Sequence, residues 1–241
     1  MDKPRLNANY EMLKSNTYPG RGIILGMSPD AKCMVQVYWI MGRSENSRNR
    51  IFEEENGFVR TKAFDESKLV DPSLIIYFPA RHDDGRHIIT NGDQTDTIFE
   101  TMAKGGSFED ALNTRCFEPD APNFTPRISG IIDLKDSQYA YKLSILKSNN
   151  NTGAFCIRNY FNYEKGIQGV GHCIHTYVQD GSPIPSFAGE PYELDLFDDI
   201  DETVQYYWKA LNDENKVSIL AKYIRIEDGS FDIRIINKNR V

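Results

Sequence analysis

Three polar segments carry the residue types from which a small-anion site is built. Arg43-Ser44-Glu45-Asn46-Ser47-Arg48-Asn49-Arg50 gathers guanidiniums with hydroxyl and amide groups, a composition suited to gripping a phosphate or a ribose through charge-assisted, bidentate bonds. Ile89-Thr90-Asn91-Gly92-Asp93-Gln94-Thr95-Asp96-Thr97-Ile98 sets a polar, Gly-containing turn ahead of a helix start, where free backbone N–H groups can face an anion or a base. In Asn123-Phe124-Thr125-Pro126-Arg127-Ile128 a proline stiffens the chain before an arginine, so the side chain is aimed with little freedom. Glu118, in the loop before it, becomes an acid or a base when burial or a neighbour tunes it. Each segment also has a plain reading: a solvated charged loop, an N-capped helix behind a tight turn, an edge-strand charge, an ordinary loop carboxylate.

Other chemistries find less support. In His172-Cys173-Ile174-His175 the alternation of a strand puts only Cys173 and His175 on one face, and two mixed ligands make no tetrahedral site, so no metal is expected. Gly20-Arg21-Gly22 with Gly26 lacks the GxGxxG spacing of a dinucleotide fold, and there is no Walker A motif. A net charge of −7 repels polyanions and argues against a nucleic-acid surface, while leaving room for one small phosphate. The start, Met1-Asp2-Lys3-Pro4, is polar, and no apolar run approaches a signal or membrane segment, so a cytoplasmic protein without a membrane partner is expected. Cys33, Cys116, Cys156 and Cys173 form no CxxC pair and read as reduced, buried thiols. The sequons at Asn123 and Asn150 carry no glycan meaning in that compartment.

These segments must be positioned by the rest of the chain. Residues 1–17 read as a short polar arm. Gly20–Gly26 and Cys33–Ile40 read as strands around a Ser28-Pro29-Asp30 turn, followed by a loop from Gly42 to Arg50. Leu74–Phe78 and His87–Thr90 flank the turn signal Asp83-Asp84-Gly85 and suggest a second strand pair. A helix over Thr95-Asp96-Thr97 stops at Gly105-Gly106, and Ser107-Phe108-Glu109-Asp110 resembles a capping box opening another. Strand-like runs return at 128–134, 138–146, 154–161 and 169–178 and read as a second sheet-forming block. A helix over 198–211 and a hairpin around Asp228-Gly229 complete the chain. The pattern is α+β with mostly antiparallel sheets, in a single domain over 18–241.

Taken in order, Tyr18-Pro19-Gly20-Arg21, Arg43-Ser44 with Asn49-Arg50, Asn91-Gly92 with Thr95-Asp96-Thr97-Ile98, and Thr125-Pro126-Arg127-Ile128 resemble the archaeal-type IMP cyclohydrolases. The resemblance runs through residues 18 to about 135 and continues more loosely through Thr176-Tyr177 and the late helix. It implies a four-layered αββα sandwich like that of the N-terminal nucleophile hydrolases, without their chemistry, since no processed Ser, Thr or Cys nucleophile is evident. It implies a catalytic group of Arg50, Tyr77 and Glu118, with Arg48 the alternative to Arg50 because the loop is longer than in relatives. It also implies a nucleotide site lined by Arg21, Arg43, Ser44, Asn91, Gly92, Thr95, Asp96 and Arg127, and a homo-oligomer. The implied reaction is dehydrative closure of 5-formamidoimidazole-4-carboxamide ribonucleotide (FAICAR) to IMP, with no cofactor or metal. Two rivals are an amide hydrolase on the same fold, and a purine-nucleotide sensor that binds without turnover.

Overall fold

The computed structural model describes residues 2–69, 72 and 75–239. The chain runs α1 (Lys3–Ser15), β1 (Gly22–Met27), β2 (Cys33–Met41), α2 (Glu45–Arg48), β3 (Arg50–Glu55), β4 (Phe58–Ala63), β5 (Ala80–Asp83) and β6 (Arg86–Thr90). It continues through α3 (Gln94–Ala103), α4 (Phe108–Asn113), β7 (Arg127–Asp133), β8 (Tyr141–Ser148), β9 (Cys156–Tyr163) and β10 (Val170–His175). The last elements are β11 (Tyr192–Asp195), α5 (Ile200–Ala210), β12 (Lys216–Arg225) and β13 (Phe231–Asn237).

Two antiparallel sheets result. One has the order β11-β10-β1-β2-β12-β13 and the other β3-β4-β5-β6-β7-β8-β9. Alternation along β1 explains how they stack: Ile23 and Leu25 face the core between the sheets, while Ile24 faces outward. Both faces of β1 and β2 are covered, so these strands read as continuous apolar runs. Ile89, Ile128, Ile132, Leu143 and Ile145 supply the opposite wall of the inter-sheet core. On the outer side of the first sheet, Leu13 of α1 and Val204 and Tyr207 of α5 pack on Ile24, Val35, Val37 and Trp39. On the outer side of the second, Ile98 of α3 and Phe108, Ala111 and Leu112 of α4 pack on Ile88, Ile131 and Leu146.

Most sequence-derived elements are present, with informative differences. The strand block after Ile128 does not form a sheet of its own. Strands β7 to β9 extend the sheet of β3–β6, whereas β10 pairs with β1 in the register Gly22 with His175. The stretch from Gly42 to Arg50 contains a one-turn helix closed by a reciprocal capping box between Ser44 and Ser47. A hairpin follows around Asn56-Gly57, both at positive φ (55° and 79°), a pairing that a two-residue hairpin turn favours. Of the expected strand Leu74–Phe78, Leu74 lies outside the described residues and 75–78 are irregular. Ile75 and Ile76 both donate backbone bonds to Pro72 O, and Pro79, with no N–H, delays the strand to Ala80.

The polar arm is largely helical. Asp2 caps it by accepting from the Arg5 N–H at 3.3 Å, with Pro4 in the first turn. Leu6 and Leu13, two turns apart, are its buried residues, and the burial of each is worth about 1.5–3 kcal/mol. Lys3 and Arg5 pair with Asp195 and Glu193, fastening the helix to β11. Only Cys173 is fully buried; Cys33 and Cys156 are half-buried and Cys116 is exposed, so the expectation of four buried thiols fails. Among the described residues no helix is long and apolar enough to cross a membrane.

Candidate active site

The site begins where β1 begins. The Arg21 backbone is held on both sides by Thr176: its N–H donates to the threonine hydroxyl at 3.1 Å and its carbonyl accepts the Thr176 N–H at 2.9 Å. Beside it stands Gly22, where an added Cβ would lie 1.9 Å from the Trp39 ring. The strand therefore passes flush against the indole, and only glycine fits. The Arg21 Nε is buried and has no hydrogen-bond partner.

Arg50 opens β3 and is fully buried. Its Nε donates to Ser47 O at 2.8 Å and its Nη2 reaches Met41 O at 3.5 Å, but Nη1 has no partner. Burial, and then the charge of Arg21, pull its pKa down. Arg48, by contrast, is exposed and donates to Gly42 O and Asn215 Oδ1. Of the two candidate arginines, the buried one beside the phenols is Arg50.

Tyr77 sits in the irregular segment before β5, pinned by the Thr61 hydroxyl, which accepts its backbone N–H at 2.8 Å. Its hydroxyl shares a 2.8 Å bond with that of Tyr38 on β2. Burial raises the Tyr77 pKa against the opposing pull of Arg50 and Arg21, so the phenol stays protonated at neutral pH and serves as a donor. Tyr38 is a missed member of the group. It lies inside the apolar run Val35–Ile40, where nothing local separates a functional tyrosine from a core one.

Glu118 comes from the loop between α4 and β7. Its backbone N–H donates to Thr125 O at 2.9 Å, and the Thr125 hydroxyl shares a 2.6 Å bond with Tyr177. The side chain is buried. Burial lifts its pKa to about 7; Arg21 and Arg127 pull it down, Asp120 pushes it up, and Arg50 pulls it down again. A carboxyl balanced in this way is half ionised near neutrality, as general acid–base catalysis requires.

Arg127 is buried at the start of β7 and donates to Asp93 Oδ1 at 2.6 Å and Gln94 Oε1 at 2.7 Å. Gly92 lets these groups meet: a Cβ there would be 2.5 Å from Arg127 Nη1 and 3.6 Å from Glu118 Oε1. Tyr18 and Tyr177 stack at 5.8 Å, and the Arg43 guanidinium lies 5.2 Å over the Tyr18 ring while bonding Asp180 and Gly181 O. Tyr18 and Tyr177 stand within motifs already singled out, Tyr18-Pro19-Gly20-Arg21 and Thr176-Tyr177, so their signal was available.

The structure thus gathers Arg21, Arg50, Tyr77, Glu118, Gly92 and Arg127, with Arg43 at the margin. The other sequence-derived candidates are engaged in holding the frame. Asn91 bridges two segments, donating to Pro126 O at 2.9 Å and accepting from Ile128 N at 2.8 Å and Gln94 Nε2 at 3.0 Å. Thr95 bonds Thr90 Oγ1 at 2.6 Å and Gly92 O at 3.2 Å. Asp96 accepts from Arg81 at 2.6 Å, and Ser44 caps its helix. A surface concavity of ≈ 370 Å³ lies elsewhere, lined by Lys147, Asn151, Pro183 and Pro185 among others.

Two stacked antiparallel sheets bring buried guanidiniums, phenols and a carboxyl raised by burial together in an α+β protein. The model of the family described as IMP cyclohydrolase-like protein matches residues 18–229, and the chain belongs to that family. A search of the curated proteins found no match.

Proposed function

We propose that the protein closes FAICAR to IMP and water, in an αββα sandwich of the N-terminal nucleophile hydrolase type. The observation that carries this reading is the pair of buried, unpartnered guanidinium atoms, Arg21 Nε and Arg50 Nη1, beside Tyr77 and Glu118. Leaving a buried charged donor unsatisfied is costly, and an oxyanion supplied by a ligand relieves that cost.

In the reaction the carboxamide nitrogen attacks the formyl carbon and loses one N–H proton, the formamido nitrogen loses a second as the C=N bond forms, and these two protons carry the formyl oxygen first to a hydroxyl and then to departing water. Both reacting groups sit on one ring, so the protein's task is to fix their rotamers, stabilise the oxyanion and pass protons. Arg50 and the protonated Tyr77 face the developing oxyanion. The Tyr38 hydroxyl, bonded to Tyr77, holds that phenol in place. Glu118 as carboxylate takes the carboxamide proton and gives it to the oxyanion, then takes the formamido proton and gives it to the departing hydroxyl, ending in its starting state. Arg21, Arg43 and Arg127 supply positive charge for the nucleotide phosphate, with Gly92 giving the close approach.

The test is ultraviolet-monitored conversion of FAICAR by the purified full chain, beside a control without protein because this cyclisation proceeds unaided. Saturable acceleration is expected. IMP binding without acceleration would convert the reading to a nucleotide sensor, and neither binding nor acceleration would remove it.

A further inference from the structure

Two of the four cysteines meet at the loop that carries Glu118. Cys156 opens β9, the edge strand of its sheet. Alternation along the strand puts Cys156, Arg158 and Tyr160 on one face, and the other two clasp the end of α4. Arg158 Nη2 donates to Arg115 O at 2.6 Å, and the Tyr160 hydroxyl donates to Asn113 Oδ1 at 2.9 Å. The same register carries Cys156 to the next residues of that segment. Its sulfur donates to Ile157 O at 3.6 Å, and the Cys116 thiol and the Phe117 backbone N–H lie near enough to act on its charge. Cys116 is exposed and Cys156 half-buried, so one thiol is open to a reagent and the other is sheltered behind it.

We propose that Cys116 and Cys156 form a reversible disulfide by exchange with a low-molecular-weight disulfide, tethering the Glu118 loop to β9. The Cys116 thiolate attacks the small disulfide, forming a mixed disulfide and releasing one small thiol. Cys156 then attacks the Cys116 sulfur and expels the second small thiol, which takes up the proton lost by Cys156. The two protein thiols are oxidised by two electrons, and the small disulfide is reduced to two thiols. The order follows from the surroundings. Burial, and then the neighbouring thiol, push the Cys156 pKa up to about 11, which suits the resolving partner rather than the first attacker.

Cys116 is two residues from Glu118, with Phe117 between them stacked edge-to-face on Phe124 at 5.4 Å. Drawing Cys116 onto β9 therefore moves the segment that sets the carboxyl. On the proposed ring-closing activity, an ångström of misplacement costs about 10²-fold in turnover, reversible by dithiothreitol; this consequence alone rests on that reading.

The experiment treats the full chain with oxidised glutathione, blocks free thiols with N-ethylmaleimide, and reads intact mass and linked peptides. Loss of two hydrogens and a Cys116–Cys156 cross-link are expected. Cys156→Ser should stop at the Cys116 mixed disulfide, and Cys116→Ser should leave Cys156 unmodified. A persistent mixed disulfide in the unsubstituted chain, unreacted thiols, or linkage through Cys33 or Cys173 would overturn the proposal whatever the enzymatic activity proves to be. A cross-link without change in turnover would overturn its regulatory consequence.

Discussion

Replacing Glu118 by glutamine should make the ligand-free protein more stable at alkaline pH while crippling it. The carboxyl is buried, and its pKa stands at about 7 against an ordinary 4.5. A folded-state pKa above the unfolded value means that the fold favours the neutral acid. The stability that this form confers is fully present below pH 4.5 and is lost as pH rises through about 7. The gap between the two values corresponds to about 3 kcal/mol of destabilisation in the unsubstituted protein once Glu118 is ionised in both states. Glutamine keeps the shape without ionising. Urea denaturation at a series of pH values from acid to alkaline should show the two proteins converging at the acid end. The glutamine variant should gain by up to about 3 kcal/mol above pH 7, with a slope confined to the interval between the two pKa values. Turnover of the same variant should fall by about 10²–10⁴-fold. A stability difference that does not change with pH, or a variant weaker than its parent at alkaline pH, would refute the account of Glu118 as a carboxyl destabilised by burial.

Arg50→Gln should lower turnover by about 10²–10³-fold, as loss of a positioned oxyanion donor does, whereas Arg48→Gln, at an exposed position, should leave steady-state rates near those of the parent; equal losses would place both arginines in the site. Asn91→Ala removes bonds to Pro126, Ile128 and Gln94 and should cost about 2–4 kcal/mol in chemical denaturation, from the loss of bonds that leave buried partners unsatisfied. Leu13→Ala should cost about 2–5 kcal/mol if α1 belongs to the folded body, and a loss below about 0.5 kcal/mol would mark it as an appendage.

Much of the strand and helix pattern is legible in the residues, because the apolar periods are long and the turns carry their own chemistry. Ser107 caps α4 reciprocally with Asp110, as the motif predicts, and Gly105 ends the preceding helix at positive φ (87°). Pairing is less legible. Nothing local tells β10 to join β1 rather than β9, since that choice is made by the core between the sheets. The Asn56-Gly57 turn is a hairpin signal in the residues, but the charged run Glu53-Glu54-Glu55 masks the alternation of the strand before it. Within the site, residue type marks the Arg43–Arg50 segment and Glu118 as candidates and the resemblance adds Arg21; the burial of Arg21 Nε, Arg50 and Glu118 is a tertiary fact. Asn91 and Thr95 look like ligand-binding residues by type, yet their polar atoms are consumed by the backbone around them. Tyr38 illustrates the converse: a hydroxyl in an apolar strand finds its meaning only when the other sheet brings Tyr77 to it.

The order of strands also dictates an order of assembly. Strands β3 to β9 follow one another in space as in sequence, so their sheet is a continuous meander, inserted in the chain between β2 and β10 of the other sheet. The other sheet has only β1 and β2 before this insertion and must wait for β10 and β12 to flank them. During synthesis the meander has all its partners once β9 emerges, while the hairpin of β1 and β2 still has its outer apolar face uncovered by α5. A ribosome that stalled before the last fifty or so residues would therefore release a chain with one sheet complete and the other an open hydrophobic edge, the form in which strands find partners in other molecules.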